Sequence, residues 1–335
     1  TDAAGNVATP VLRTVTVVDT PSVDPSLIVH YKFDDPNNLG LNSSSYGDTF
    51  DATVVGTVTD DNTSSNGVLD SGSVRFIGSG DNYIAIDQQS GKLHQYLHEN
   101  PISISFWCRS LSAGQQNHGR LFYGAQNGKN NNRDSLQAVH WSGGESGSGS
   151  SNNITFIVTN NNENYGGHYS PSTQMPAFDT EWSHVVFIVE PTSSNFTAEE
   201  HNHHIYINGQ LDQSYTNKFY PPITTDYNFY IGRWTPSNLR QHNGYVDEFR
   251  IYNKVLSAGE IQDLYVAGLP ADTEAPVITL NGGSEIEHLQ GEAYTDLGAT
   301  WTDNRDGSGN ATIGGATVDV NTLGAYVVEY TATDA

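Results

Sequence analysis

The sequence predicts an all-β protein built from antiparallel two-sheet sandwiches, and three observations lead there. The 335 residues carry only 36% apolar and 16% charged side chains, but 10% are aromatic and 33 are glycine. Ser, Thr, Asn and Gly make up the difference, a mixture suited to strands joined by many turns. Segments of even length, separated by Gly, Asn and Ser, run through residues 27–269, and helical periodicity is nearly absent before 257–265. The aromatic content separates the chain from disordered sequences, and its length holds about two domains of roughly 150 residues.

Charge excludes whole classes of partner. Fourteen basic residues face 38 acidic ones, a formal net charge of −24. Such a field repels phosphate backbones and anionic bilayers, so nucleic-acid binding is not expected. It suits carboxylates that hold divalent cations, or a protein working in salt water. No window approaches the roughly 18 apolar residues of a membrane span, so no membrane insertion is expected. Cys108 is the single cysteine, so no internal disulfide forms. Alternation through Ile102-Ser103-Ile104-Ser105-Phe106-Trp107-Cys108 puts it beside Ile102, Ile104 and Phe106 as an inert buried thiol.

Taken in order, the central segments read as Leu27-Ile28-Val29-His30-Tyr31-Lys32-Phe33-Asp34, Gly72-Ser73-Val74-Arg75-Phe76, Tyr83-Ile84-Ala85-Ile86, Ile104-Ser105-Phe106-Trp107, Glu181-Trp182-Ser183-His184-Val185-Val186-Phe187 and Ile205-Tyr206-Ile207-Asn208-Gly209. They close on Gly244-Tyr245-Val246-Asp247-Glu248-Phe249-Arg250-Ile251-Tyr252-Asn253-Lys254-Val255-Leu256-Ser257. Ser257, with Glu260 three residues on, is a capping box for one short helix. This succession resembles the laminin-G-like, concanavalin-A-like jelly roll, an antiparallel two-sheet sandwich that hosts lectins, glycosidase modules and spacers alike.

The two ends read as parts of one unit. The chain closes on Tyr330-Thr331-Ala332-Thr333-Asp334-Ala335 and opens on Thr1-Asp2-Ala3-Ala4-Gly5. Overlaying the Thr-Asp-Ala segments leads into Val11-Leu12-Arg13-Thr14-Val15-Thr16-Val17-Val18, which alternates like a final strand. Short strands at 277–280, 317–320 and 325–330 resemble the small immunoglobulin-like repeats of large bacterial surface proteins. The expected organisation is a last strand of a preceding repeat at 1–20, a linker at 21–26 and the jelly roll at 27–269. A second linker at 270–275 and a partial immunoglobulin-like β-sandwich lacking its final strand at 276–335 follow. An unpaired edge of that kind invites head-to-tail self-association of 1–20 with 276–335 of another copy.

No catalytic constellation stands out, so the domain is not expected to be an enzyme. Retaining glycosidases on this fold set Glu-x-Asp-x-x-Glu along one strand, where alternate residues share a face. That triplet is absent, and Asp247 and Glu248 are adjacent in sequence and face opposite sides. His201-Asn202-His203-His204 is read as a solvated loop, with a transition-metal site as the alternative. The resemblance implies a structural Ca2+ where the first and last strands meet, at positions matching Asp34 and Asp247. Asn42-Ser43-Ser44 stands where the family often has Asp-x-Ser, and Asp51 in the same loop is a compensating ligand.

A glycan site needs an aromatic platform and planar polar side chains. Three Asn-rich segments supply both. Arg133 leads to His140 and Trp141; Tyr165 leads to His168 and Tyr169; Arg233 and Trp234 open a loop ending in Arg240. Trp107 and Arg109 turn away from the core side of their strand and are candidates for the same face, whereas Trp182 reads as core. The sequence therefore predicts a non-catalytic, calcium-stabilised, lectin-like module of a large bacterial adhesin, extracellular or at the cell surface, that binds a polysaccharide or cell-surface glycan. The alternatives are an accessory module of a secreted polysaccharide-degrading enzyme, or a spacer or protein-binding domain.

Overall fold

The computed structural model describes residues 24–60, 68, 72–86, 93, 96–97, 100–111, 119–126, 135–141, 153–158, 167–169, 181–192, 200–218, 227–234, 240–270, 272, 274–305 and 307–333. The predicted strand at 1–20 lies outside them. The chain divides into two compact units at Leu269 and Pro270.

Among its described residues the first unit is built on fifteen strands and, near its end, a ten-residue helix. In order they are β1 (Leu27–Tyr31), β2 (Ala52–Val55), β3 (Thr59–Asp60), β4 (Val74–Ile77), β5 (Tyr83–Ile86), β6 (Ile102–Ser110), β7 (Gly119–Gln126), β8 (Ser135–Trp141), β9 (Asn153–Val158), β10 (Gly167–Tyr169), β11 (Ser183–Pro191), β12 (Glu200–Ile207), β13 (Gln210–Lys218), β14 (Tyr227–Ile231), β15 (Asn243–Tyr252) and α1 (Ala258–Ala267). One sheet has the order β13-β12-β11-β6-β15-β4-β3, with β1 also on β15; the other runs β10-β9-β8-β7-β14-β5-β2. The ladders among the described residues are antiparallel, as expected of a jelly roll.

Alternation fills the space between the sheets. Phe106, Phe187 and Phe249 from the first sheet meet Phe122, Phe156 and Phe229 from the second. Phe156 and Phe187 stack at 4.2 Å between centroids, and Phe106 meets Phe122 edge-on at 5.9 Å. Such pairs add to the area they bury. Cys108 is buried in this core as alternation predicts, and burial pushes its thiol pKa up.

Helix α1 begins with the predicted capping box, the Ser257 hydroxyl accepting from Glu260 N and the Glu260 carboxylate accepting from Ser257 N. It covers the outer face of the first sheet, where Ile261 joins Val186, Ile188, Tyr252 and Leu256. Tyr265 stacks on Trp107 at 5.7 Å. A side chain at Gly268 would run into that indole, which is why the helix stops on glycine there. Trp107 thus lies under the helix and lines no concave face. Trp182 is half-buried outside the core, beneath the Arg109 guanidinium at 5.5 Å. The stretch His201–His204 belongs to β12 rather than to a loop: His201 and His203 are buried on the core side, and His204 turns outward to Ser214 Oγ at 2.8 Å. The loop reading failed because polar His and Asn occupy strand positions whose alternate members are buried.

The second unit holds β16 (Val277–Leu280), β17 (Ala299–Asp303) and β18 (Gly307–Asn310) in one sheet, and β19 (Thr312–Gly315) with β20 (Val328–Thr331) in another. Asp296 ties its parts together by accepting from Tyr330 Oη at 2.7 Å and from Gly298 N at 2.7 Å.

Candidate functional site

The site assembles on the face of the second sheet turned away from the core. A bulge between Arg120 and Phe122 breaks the alternation of β7. Leu121 and Phe122 both enter the core, so Arg120 and Tyr123, three residues apart, share the outer face. The segment after β14 then closes over them. Gly232 adopts φ +89°, and a side chain there would collide with the Phe76 ring, so glycine is required. Its N–H donates to Leu121 O at 2.9 Å and its carbonyl accepts from His242 N at 3.0 Å. These bonds fix the backbone from which Arg233 and Trp234 project.

Trp234 is the centre. Its indole carries the guanidinium groups of Arg120 at 4.8 Å and Arg240 at 4.7 Å, with Tyr123 edge-on at 6.4 Å. Arg120 Nε donates to Gln137 Oε1 at 2.8 Å, and Arg120 N donates to Arg240 O at 2.9 Å. Burial, together with the like charge of Arg240, lowers the Arg120 pKa to about 9. Beside this cluster Arg233 lies 4.1 Å from the Tyr83 ring centre and 5.4 Å from that of Tyr230. Its Nη1 donates to Asp81 Oδ1 at 2.6 Å. Arg240, Tyr83 and Tyr230 are half-buried, while Trp234 is only 8% exposed.

Three of the predicted glycan residues, Arg233, Trp234 and Arg240, therefore gather as one cluster. His140 follows Leu136 and Ala138 to the core side of β8, 6.4 Å from His242, and burial lowers its pKa to about 3. It stands apart from the others. Arg133 and Tyr165 lie outside the described residues, as do the side chains of Trp141, His168 and Tyr169. Sequence reasoning missed Arg120, Tyr123, Gln137, Tyr83, Tyr230 and Asp81. Tyr83 stands in a segment that the sequence marks only as a strand, and nothing around it or Tyr230 points to arginine partners.

The predicted cation residues separate into two groups. Asn42 closes its own loop: Oδ1 accepts from His30 N at 2.8 Å, and Nδ2 donates to Gly47 O at 3.0 Å and Ser44 Oγ at 2.9 Å. Asp51 Oδ1 accepts from Asn42 N at 2.8 Å. Both side chains bond within this loop region. Asp247 differs. Strand β15 pairs with β4 up to Val246 and with β1 from Phe249; Asp247 stays in register with Trp107 of β6, and the bulge opens after it at Glu248. Asp247 accepts from Val68 N at 2.8 Å and Glu248 N at 2.7 Å, yet burial raises its pKa to about 8, with Glu248 and Asp34 adding like charge. Phe33 and Glu248, the neighbours of Asp34 and Asp247, have φ of 60° and 50°, left-handed values that non-glycine residues hold only under constraint. Among the described residues no three His, Cys, Asp or Glu side chains converge as metal ligands. A cation between Asp34 and Asp247 would take its remaining ligands from main-chain oxygens and water.

Glu248 is held apart from this pair. Its carboxylate meets His30 Nε2 at 2.8 Å and accepts from Arg250, and the hydrogen bond from His30 is the main influence lowering its pKa against burial.

Comparison with known proteins agrees with this architecture. The model for the concanavalin A-like lectin/glucanases superfamily matches residues 78–262, and that for the bacterial surface protein Ig-like domain matches 278–335. No curated protein matches the chain. Similar solved structures include the botulinum neurotoxin D/C binding domain in complex with rat synaptotagmin II, at 16% identity over 92% of this chain and 71% of that one, with a TM-score of 0.50. The serotype D/C VPI 5993 binding domain is similar at 17% identity, over 92% and 72%, with a TM-score of 0.50. Domain 4 of an extracellular arabinanase from Geobacillus stearothermophilus, solved with arabinotriose, is 19% identical over 72% and 98%, with a TM-score of 0.47. At these identities the likeness is one of fold.

Proposed function

The chain belongs to the concanavalin A-like lectin/glucanase superfamily, and we propose that its jelly roll is a non-catalytic, calcium-stabilised carbohydrate-binding module of a large bacterial surface adhesin. The observation that carries the reading is the cluster around Trp234, where Arg120, Arg233 and Arg240 sit against Trp234, Tyr83 and Tyr230. Fixed planar donors beside aromatic rings suit a saccharide. The pair Asp34 and Asp247 supports the calcium, and the match to bacterial surface Ig-like domains supports the surface location. Single-site affinity of such a module is weak, and many copies supply avidity.

A glycan array probed with the full chain in millimolar calcium and again in EDTA tests this. Binding is expected in calcium, with circular dichroism reporting whether EDTA removes the fold as well. A folded chain that binds no glycan in either buffer would sink the reading.

The proposal includes head-to-tail association. In the second unit Leu323 is 81% and Val327 75% exposed, beside Ile286, Leu289 and Leu297 around a cavity of about 600 Å³. An alternating strand such as Val11–Val18 of a second copy would cover them. Light scattering at high protein concentration is expected to give species larger than one chain, and a monomer would end this part of the proposal.

A further inference from the structure

We infer that the Trp234 cluster takes an anionic saccharide, one that bears a carboxylate or a sulfate, and that Arg240 is the residue that meets the acid group. This rests on the carbohydrate-binding reading above and names the class of glycan.

Guanidinium groups cover the aromatic rings of this cluster. A neutral sugar is held by laying its apolar face on an indole, but Trp234 is 8% exposed and both Arg120 and Arg240 already lie over it. Tyr83 and Tyr230 have the Arg233 guanidinium over them in the same way. The rings position cations here. A guanidinium resting by its face on a ring bonds through its in-plane N–H groups, a fork that matches carboxylate and sulfate oxygens in pairs.

Only 14 of the 335 residues are basic, and three of them converge on this patch of a −24 chain. Asp81 answers Arg233 at the rim, its side chain 61% exposed. Arg120 and Arg240 share one indole, and their mutual repulsion contributes to the lowered Arg120 pKa. The acidic surface elsewhere does not keep an anion away, since screening confines its field to about 8 Å at physiological ionic strength.

Arg240 holds φ +33°, a left-handed value for a residue with a side chain, and its carbonyl is pinned by Arg120 N at 2.9 Å. Residues held in such regions cluster where the surrounding structure fixes a group for use. Arg240 is also the half-exposed arginine of the pair that shares Trp234, and so the one a ligand reaches first.

Isothermal titration of the full chain with four short oligosaccharides tests the inference: an oligogalacturonate, its methyl ester, a sulfated galactan fragment and a neutral arabino-oligosaccharide. The galacturonate or the sulfated fragment is expected to bind at least about tenfold more tightly than the ester and the neutral sugar, the two acid arms separating carboxylate from sulfate. Arg240→Gln should erase that preference while circular dichroism stays unchanged, and Arg240→Lys should restore part of it. Binding of both acidic sugars no tighter than the ester, tighter binding of the neutral sugar, or an acid preference that survives Arg240→Gln would overturn the inference and leave carbohydrate binding in place. A folded chain that binds none of the four, and none on the array, would overturn both.

Discussion

The guanidinium groups of Arg120 and Arg240 lie 4.8 and 4.7 Å from the centre of one indole, that of Trp234, although 120 residues separate them in sequence. The ring holds both cations, so its loss should be felt twice. Trp234→Ala is expected to cost about 3 kcal/mol of stability and to abolish glycan binding. Trp234→Phe, which keeps a ring under both arginines, should retain most of each. Thermal unfolding and glycan titration on the same samples check this, and full binding by the alanine variant would remove the indole from the site.

Gly232 sets the backbone that delivers Arg233 and Trp234. With φ at +89° and the Phe76 ring where a side chain would go, Gly232→Ala meets both strain and collision. A loss of about 1–3 kcal/mol is expected, with weaker glycan binding in the fraction that stays folded. Chemical denaturation measures the first, and titration at low temperature the second. A neutral substitution would mean that the turn has room to move.

How much of this was legible in the sequence depended on whether alternation held. Alternation placed Cys108 in the core, and the Ser257 and Glu260 capping box formed as its spacing dictates. It could not place Arg120 with Tyr123, because the bulge of β7 shifts the pleat by one residue. Trp182, read as core, proved to be a half-buried ring under Arg109, since a tryptophan in an apolar strand context does not declare which sheet face it takes. Asn42 looked like a weakened metal ligand, but its amide closes the loop around Ile28, His30 and Gly47, a role the short segment alone does not reveal. Loop residues with turn chemistry and ligand chemistry share the same alphabet.

Asp247 predicts a specific coupling of pH and calcium. Its folded pKa is raised to about 8 from 3.8, so the folded state holds a proton that the unfolded chain has lost. Its contribution is fully present below about pH 4 and drains away as pH rises towards 8, by about 1.4 kcal/mol per unit. Without calcium, urea midpoints should fall over this window more steeply in the wild type than in Asp247→Asn. Millimolar calcium should flatten the wild-type curve, because a cation replaces the proton. Identical wild-type curves with and without calcium would remove the cation from this pair.

The buried histidines work in the opposite sense. Burial pushes His140, His184 and His203 down to about 3, with His201 and His204 adding to the effect on His203. The folded state keeps each neutral, and their stabilisation is complete above the unfolded value of 6.5. As pH falls below it the unfolded chain takes up protons that the folded chain refuses. Near pH 5 these three residues should together contribute a slope approaching ~4 kcal/mol per pH unit, so acid weakens the jelly roll before most carboxylates titrate. His203 packs 6.4 Å from Phe156, between the sheets, where an apolar side chain is at home. His203→Leu should therefore remove about one proton from the uptake on unfolding, read as a shallower dependence of the urea midpoint on pH between 6.5 and 5. An unchanged slope in that variant would mean that His203 reaches solvent in the folded state.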